Sequence, residues 1–286
     1  MVRPYFRLPP EVKLHLEAEG TIAAGGLDRV AVPYKYGPKS PRHTHAVIAH
    51  EFGHVIWSTT PNSAVAQILM NLKYHYENKL RDVKDHLPAI KRELQLQKVE
   101  HAKLRRAQIE FRQAHEDEPS PELHAKIVEL GQYIKALEAK IPVEYTLDQL
   151  TEFRFAYEEL FADVVAVAML QNPRAISSVM FPLVENKIEA NNRDFLKPKE
   201  AKGWNNSQIH QVFSPTRYAL SQNPLAVRLY TENPGRLVRI VYDAMIQDMA
   251  DLALNVEKIY TITPEERNLN LIKNINLLLE KETVNF

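Results

Sequence analysis

The sequence predicts a mainly α-helical protein with a small N-terminal β-sheet, an α+β chain interrupted by an inserted antiparallel helical hairpin. Three observations predict it. Period-two alternation of apolar and polar residues is confined to about residues 1–42. Beyond them, apolar residues recur at three- and four-residue steps almost to the C-terminus. Within that helical part, residues 63–142 hold the most regular periodicity and one polar, proline-containing break.

The elements follow in order. Leu14, Leu16 and Ala18 alternate with His15 and Glu17, which reads as a strand. Gly25-Gly26 marks a turn, and Val30, Val32 and Tyr34 alternate as a second strand over about 29–36. Pro33 inside that run suggests an edge strand, because proline cannot donate to a ladder. Val47, Ile48, Phe52, Val55 and Ile56 predict a helix over about 43–58, ended by Ser58-Thr59-Thr60-Pro61. Residues 63–142 read as the hairpin, with its tip near 117–121 and Pro88 breaking or kinking the first arm. Its charged faces, such as Lys91-Arg92-Glu93, read as solvated helix surface. Thr146 and Gln149 fit a capping box for a helix that runs to Leu170 and stops at Asn172-Pro173. Residues 191–206 are polar and loop-like. Helices are expected near 224–231, 234–258 and 264–282, the last two beginning after Asn233-Pro234 and Thr263-Pro264. The expected organisation is residues 1–62 and 143–286 as one catalytic part, with 63–142 inserted.

Composition narrows the function. The 286 residues suit one large domain, or one domain with an insertion. Lys plus Arg and Asp plus Glu both number 36, so no basic excess supports a nucleic-acid binder. With no cysteine, disulfides, thiolate metal sites and a cysteine nucleophile are excluded. No apolar run is long enough for a membrane span. Eight glycines form no phosphate-cradling loop motif. The first residues lack the apolar core of a signal peptide, and the expected setting is secreted or periplasmic, with the export signal outside this sequence.

One motif carries chemistry. His50-Glu51-Phe52-Gly53-His54 is an HExxH pentad inside a predicted amphipathic helix. Residues four apart share a helix face, so His50 and His54 can aim both imidazoles at one metal ion. Glu51 lies beside that ion, placed to take a proton from a water the ion activates. A His/carboxylate set without cysteine fits a catalytic zinc better than a structural one.

Two such histidines need a third ligand. The helix to Leu170 contains Glu158, Glu159 and Asp163 at the edge of an apolar stretch running from Leu160. Glu159 and Asp163 share a face, and burying both is costly unless they meet a cation or strong donors. Glu159 on the metal, with Asp163 accepting the other N–H of a ligand histidine, resolves that cost. Glu158 is the alternative ligand, but Ala162 and not a carboxylate lies four residues after it.

HEFGH followed by Glu159-xxx-Asp163 on a later helix resembles the gluzincin branch of the zincin metallopeptidases, the thermolysin-like zinc site. The resemblance covers about residues 29–58 and 147–171. It implies a zincin-like core in which one Zn2+ is held by His50, His54 and Glu159. Glu51 would be the general base, and Asp163 would orient His50. It also makes the strand over about 29–36 the edge on which an extended peptide pairs. The metzincin continuation is absent, since Val55 to Pro61 contains neither Gly nor His. About 105 residues separate the two zinc motifs, most of them the hairpin.

The implied reaction is peptide-bond hydrolysis by zinc-activated water on a peptide or protein substrate. It needs a donor to the oxyanion. His210-Gln211-Val212-Phe213-Ser214-Pro215-Thr216-Arg217-Tyr218 is the best segment for it. His210 or Tyr218 is the expected donor, with Arg217 binding a substrate carboxylate or serving as a structural pair. Tyr157 is a further candidate. The competing expectation, from another class, is a non-catalytic interaction protein that meets a partner or regulator through the hairpin and keeps a vestigial or structural metal site.

Overall fold

The computed structural model describes residues 4–6, 8–17, 24–26, 28–33, 41–60, 63–115, 118–141, 147–180, 187–200, 209–255, 258 and 262–283. The chain is mainly α with a small N-terminal sheet, as the periodicity predicts. Strands β1 (Lys13–Glu17), β2 (Ala24–Gly26) and β3 (Arg29–Pro33) form one sheet in the order β1-β3-β2. β1 runs parallel to β3 from Lys13↔Arg29 to Glu17↔Pro33. β2 runs antiparallel to β3 from Ala24↔Ala31 to Gly26↔Arg29.

Two expectations change here. Gly25 and Gly26 lie in β2, and the turn falls after them, at Asp28. β3 is central, not an edge: it is paired on both sides over 29–31. Pro33 is tolerated because it ends the strand, past the last pair with β2. A substrate strand therefore cannot add along Arg29–Ala31. The expected capping residue Thr146, the segment 34–36 and part of the hairpin tip lie outside the described residues.

Helix α1 (Pro41–Thr59) has two working faces. Val55 packs with Val30 and Val32 of the sheet, joined by Val47, Ile48 and Phe52. The opposite face carries His50, Gly53, His54 and Trp57, all buried. It meets α5 (Leu147–Leu170), whose Leu160–Ala168 segment is almost wholly excluded from solvent. A Cβ built on Gly53 would stand 2.5 Å from the Ala162 Cα, so glycine is what lets the two helices approach this closely. α5 stops at Leu170, as expected, where Gln171 takes a left-handed φ of 50° before Asn172-Pro173.

The remaining helices follow in chain order. α2 (Ser63–Val83), α3 (Leu87–Ala114) and α4 (Pro121–Glu138) come between α1 and α5 in sequence. After α5 follow α6 (Ala175–Met180), α7 (Lys187–Asn192), α8 (Ile209–Val212) and α9 (Ser214–Gln222). Then come α10 (Pro224–Glu232), α11 (Pro234–Leu254) and α12 (Pro264–Thr283). The last three begin on proline with a side-chain cap before it. Asn223 caps α10 and Asn233 caps α11. Thr263 and Glu266 form a reciprocal capping box on α12, at 3.2 and 3.1 Å. Phe6, Trp57, Phe161 and Tyr242 pack together, edge-on except for the tilted Trp57–Phe161 pair, at 5.4–6.0 Å between ring centres, and tie α1, α5 and α11 together. Tyr157 donates to Asp248 and accepts from Arg267, a buried polar link from α5 to α11 and α12.

The chain divides into two compact units, Met1–Asn71 with Thr146–Phe286, and Leu72–Tyr145. α2, which runs on into the second, and α3 are separate helices, because Pro88 starts α3 afresh after a turn at residues 84–86. α3 and α4 pair antiparallel: Lys98 bonds Glu138 at 2.8 Å, while His101 lies near Gly131. Lys91, Arg92, Lys103, Arg105 and Arg106 are exposed, as the charge pattern predicts. Among the described residues no helix is long and apolar enough to cross a membrane.

Candidate metal centre

The Gly53–Ala162 contact fixes what lies within one turn of it. On α1 these are His50 and His54; on α5 they are Glu158, Glu159 and Asp163. The helices thereby bring two imidazoles and three carboxylates together in a largely buried cluster within the first unit.

The two Nε2 atoms face each other at 3.2 Å. Glu159 closes the third side, with Oε2 at 3.4 Å from His50 Nε2 and Oε1 at 3.5 Å from His54 Nε2. A tetrahedral ion with bonds of 2.0–2.1 Å has ligand–ligand edges of about 3.3–3.4 Å, so these separations match one face of its coordination shell. His50, Glu51 and His54 are buried, and each offers a ligand atom within 4.8 Å of the others. The group could hold a metal ion.

The other ring nitrogens define the tautomers. His50 Nδ1 lies 3.1 Å from Asp163 Oδ1, and His54 Nδ1 lies 3.1 Å from Glu158 Oε1. In neutral imidazoles, an Nδ1–H donating to each carboxylate would leave each Nε2 as a lone-pair acceptor. Two acceptors and a carboxylate meeting at these distances repel one another unless a cation lies among them. Arg193 and Arg217 on Asp163, and Arg154 on Glu158, offset part of the carboxylate charge gathered here. In the absence of an ion, a proton does part of this work. Burial and the Arg193 charge push the His50 imidazole down, but bonds to Asp163 and Glu159 outweigh them and lift it to about 9. Burial opposes ionisation of Glu159 and Asp163. Glu159 is nevertheless held well below the usual carboxylate range by His210, His50 and Arg193, and Asp163 by Arg193, Arg217 and His50.

The C-terminal segment contributes unequally. His210, on α8, reaches the cluster, with Nε2 at 3.1 Å from Glu159 Oε2. Arg217, on α9, is fully buried, with Nε and Nη2 at 2.9 and 2.8 Å from Asp163 Oδ2 and Nη1 on the His210 carbonyl. Of the two expectations for Arg217, the structure shows the buried pair with Asp163. Tyr218 is half-buried, and its hydroxyl makes no hydrogen bond to the cluster among the described residues. Tyr157 is fully buried and committed to Asp248 and Arg267, which removes it as an oxyanion donor.

Two residues of the cluster take places that the sequence reading does not assign them. Glu158 is neither a surface acid nor a stand-in for Glu159, but the carboxylate behind His54, itself met by Arg154 at 3.3 Å. Arg193, just after α7, binds Asp163 through Nε at 3.1 and 3.2 Å and reaches Glu159 Oε2 at 3.3 Å. It lies in the polar stretch expected to be a loop. The one available signal was Asp163, whose burial in an apolar segment demands a counter-cation.

Compared with protein-family models, with curated proteins and with solved structures, the chain gives no match. The class that fold and site define is therefore stated from geometry: a mainly helical protein with a buried His-Glu-xx-His group able to hold a metal ion.

Proposed function

We propose that the protein is a zinc-dependent metallopeptidase of gluzincin type, in which His50, His54 and Glu159 hold one zinc ion. The observation that carries this reading is the convergence of two Nε2 acceptors and the Glu159 carboxylate at 3.2, 3.4 and 3.5 Å. Ligand types also fit: two imidazoles and a carboxylate suit zinc and leave a fourth position open.

When bound, zinc supplies Lewis acidity, acidifying a water and polarising the scissile carbonyl. Everything else falls to the protein. Glu51 is buried beside the ligand histidines, where it takes the water proton and returns it to the leaving amine. Asp163 and Glu158 keep each imidazole in the tautomer that presents Nε2. His210, next to Glu159, is the nearest candidate for hydrogen bonding to the oxyanion.

The test compares the purified protein with Glu51→Gln on casein and on a mixed-peptide substrate, with and without chelator. Chelator-sensitive cleavage that falls about 100-fold or more in Glu51→Gln, with zinc content unchanged, is expected. Equal cleavage by both proteins, or none by either with zinc bound, favours the non-catalytic reading. That second reading has one observation behind it: Leu96, Val99, Ile109, Val128 and Tyr133 stand exposed on α3 and α4, where a protein partner could cover them.

A further inference from the structure

Arg193 stands inside the cluster without belonging to the ligand set. Its Nη2 bonds Asp163 and lies 3.3 Å from Glu159 Oε2. The same atom is 3.0 Å from His50 Nδ1 and 3.1 Å from His50 Nε2. An atom equidistant from both ring nitrogens cannot lie along either in-plane lone pair without colliding with the carbon between them; it stands over the ring. The guanidinium therefore touches His50 without capping Nε2, which stays directed at His54 and Glu159. Arg193 is 5% exposed, so its charge acts through a poorly screening interior.

Arg217 does a different job. Its contacts go to Asp163 and the His210 carbonyl. Arg193 reaches Asp163, Glu159 and His50 together, and the charge of Glu51 also acts on it. Four carboxylates cannot be buried at one place without cations among them. Resting on the metal-centre reading above, we propose that Arg193 is a positioning residue and a built-in counter-charge. It holds the carboxylates in their ligand geometry before an ion binds, and its fixed positive charge beside the ion lowers the affinity for that ion. The protein thereby keeps its fold when zinc leaves, and zinc exchanges more readily than the ligand set alone allows.

The experiment uses the full chain with Arg193→Met, Arg193→Gln and Arg193→Lys. Zinc affinity is measured by competition with a chromophoric chelator, and thermal midpoints are recorded in excess chelator and in excess zinc. The two neutral variants are expected to bind zinc about tenfold tighter or more, since a unit charge beside a divalent ion is removed from a low-dielectric site. In chelator they melt below wild type, and zinc raises their midpoints by more than it raises the wild-type midpoint. Arg193→Lys keeps the charge and stays near the wild-type affinity. Should Arg193→Met fail to fold without metal, Arg193→Gln, which retains amide donors toward Asp163, gives the same readout. If wild type binds zinc and folded Arg193→Gln binds it no more tightly, the counter-charge role is wrong and the metal centre stands. If no form binds zinc, the metal centre itself is wrong and the role of Arg193 falls with it.

Discussion

At the scale of single residues, each histidine of the pentad is backed by a carboxylate, and each of those carboxylates by arginine. His54–Glu158–Arg154 runs toward the surface, with Arg154 half-exposed. His50–Asp163 ends on the buried Arg193 and Arg217. The two chains should respond differently to substitution. Glu158→Ala removes the acceptor that fixes the His54 tautomer and should weaken zinc binding by about 10–100-fold without unfolding the protein. Chelator competition measures this, and unchanged affinity would show that Glu158 is an ordinary acid. Asp163→Ala leaves the buried Arg217 guanidinium without its carboxylate partner and Arg193 with Glu159 alone, a loss of about 3–5 kcal/mol, so its first effect should be on folding, read by chemical denaturation. Much of this cluster is legible in sequence. The pentad gives His50, Glu51 and His54 directly, and the four-residue spacing of Glu159 and Asp163 at an apolar edge singles out that pair. Arg193 is not legible, because nothing in a polar stretch without periodicity marks one cation as buried. Glu158 is legible as an acid near the site, but its partner 104 residues away is a property of how α1 and α5 cross.

At the scale of elements, that crossing decides the site, and Gly53 decides the crossing. Gly53→Ala would place a methyl group 2.5 Å from the Ala162 Cα and 3.1 Å from its Cβ. Backbone cannot yield as a flexible side chain can, so α1 and α5 must separate. The expected loss is about 1–3 kcal/mol in stability, with zinc affinity falling too as the ligand edges lengthen. A folded Gly53→Ala protein with wild-type zinc affinity would mean that the close approach is not what sets the ligand geometry. The outer helices rest on other forces. Arg236 on α11 and Glu282 on α12 form a two-pronged ion pair, and the bond from Arg236 holds Glu282 below its ordinary pKa. A depressed carboxylate adds stability above its unfolded pKa, about 4.3, and loses it as pH falls through the lower folded value. Wild type should therefore melt above Glu282→Gln at pH 7, and the gap should close in acid. A gap that persists at the lowest pH where the protein folds would contradict this origin. Helix boundaries were readable where chemistry marks them, at Asn223-Pro224, Asn233-Pro234, Thr263-Pro264 and Asn172-Pro173. The place of β3 was not, because a proline reports on its own missing N–H and not on the neighbours of the residues before it.

At the scale of the whole molecule, all residues assigned to the centre belong to the unit of Met1–Asn71 and Thr146–Phe286, and none to Leu72–Tyr145. The hairpin is recognisable from periodicity, although Pro88 makes it three helices and not two arms. On the proposed reading zinc would bind the folded form of one unit, so it should stabilise that unit alone. Hydrogen exchange with and without zinc should show slower exchange in α1 and α5 and unchanged rates in α3 and α4. Slowing spread equally over both units would contradict a centre confined to one. The most direct measurement is elemental mass spectrometry on the purified chain beside His54→Ala and Glu159→Ala, each checked for folding by circular dichroism. One equivalent of zinc per chain in the wild type, lost in both folded variants, is the expected result. A wild type without stoichiometric metal after incubation with zinc, or variants that retain a full equivalent, would contradict the convergence of His50, His54 and Glu159 on one ion.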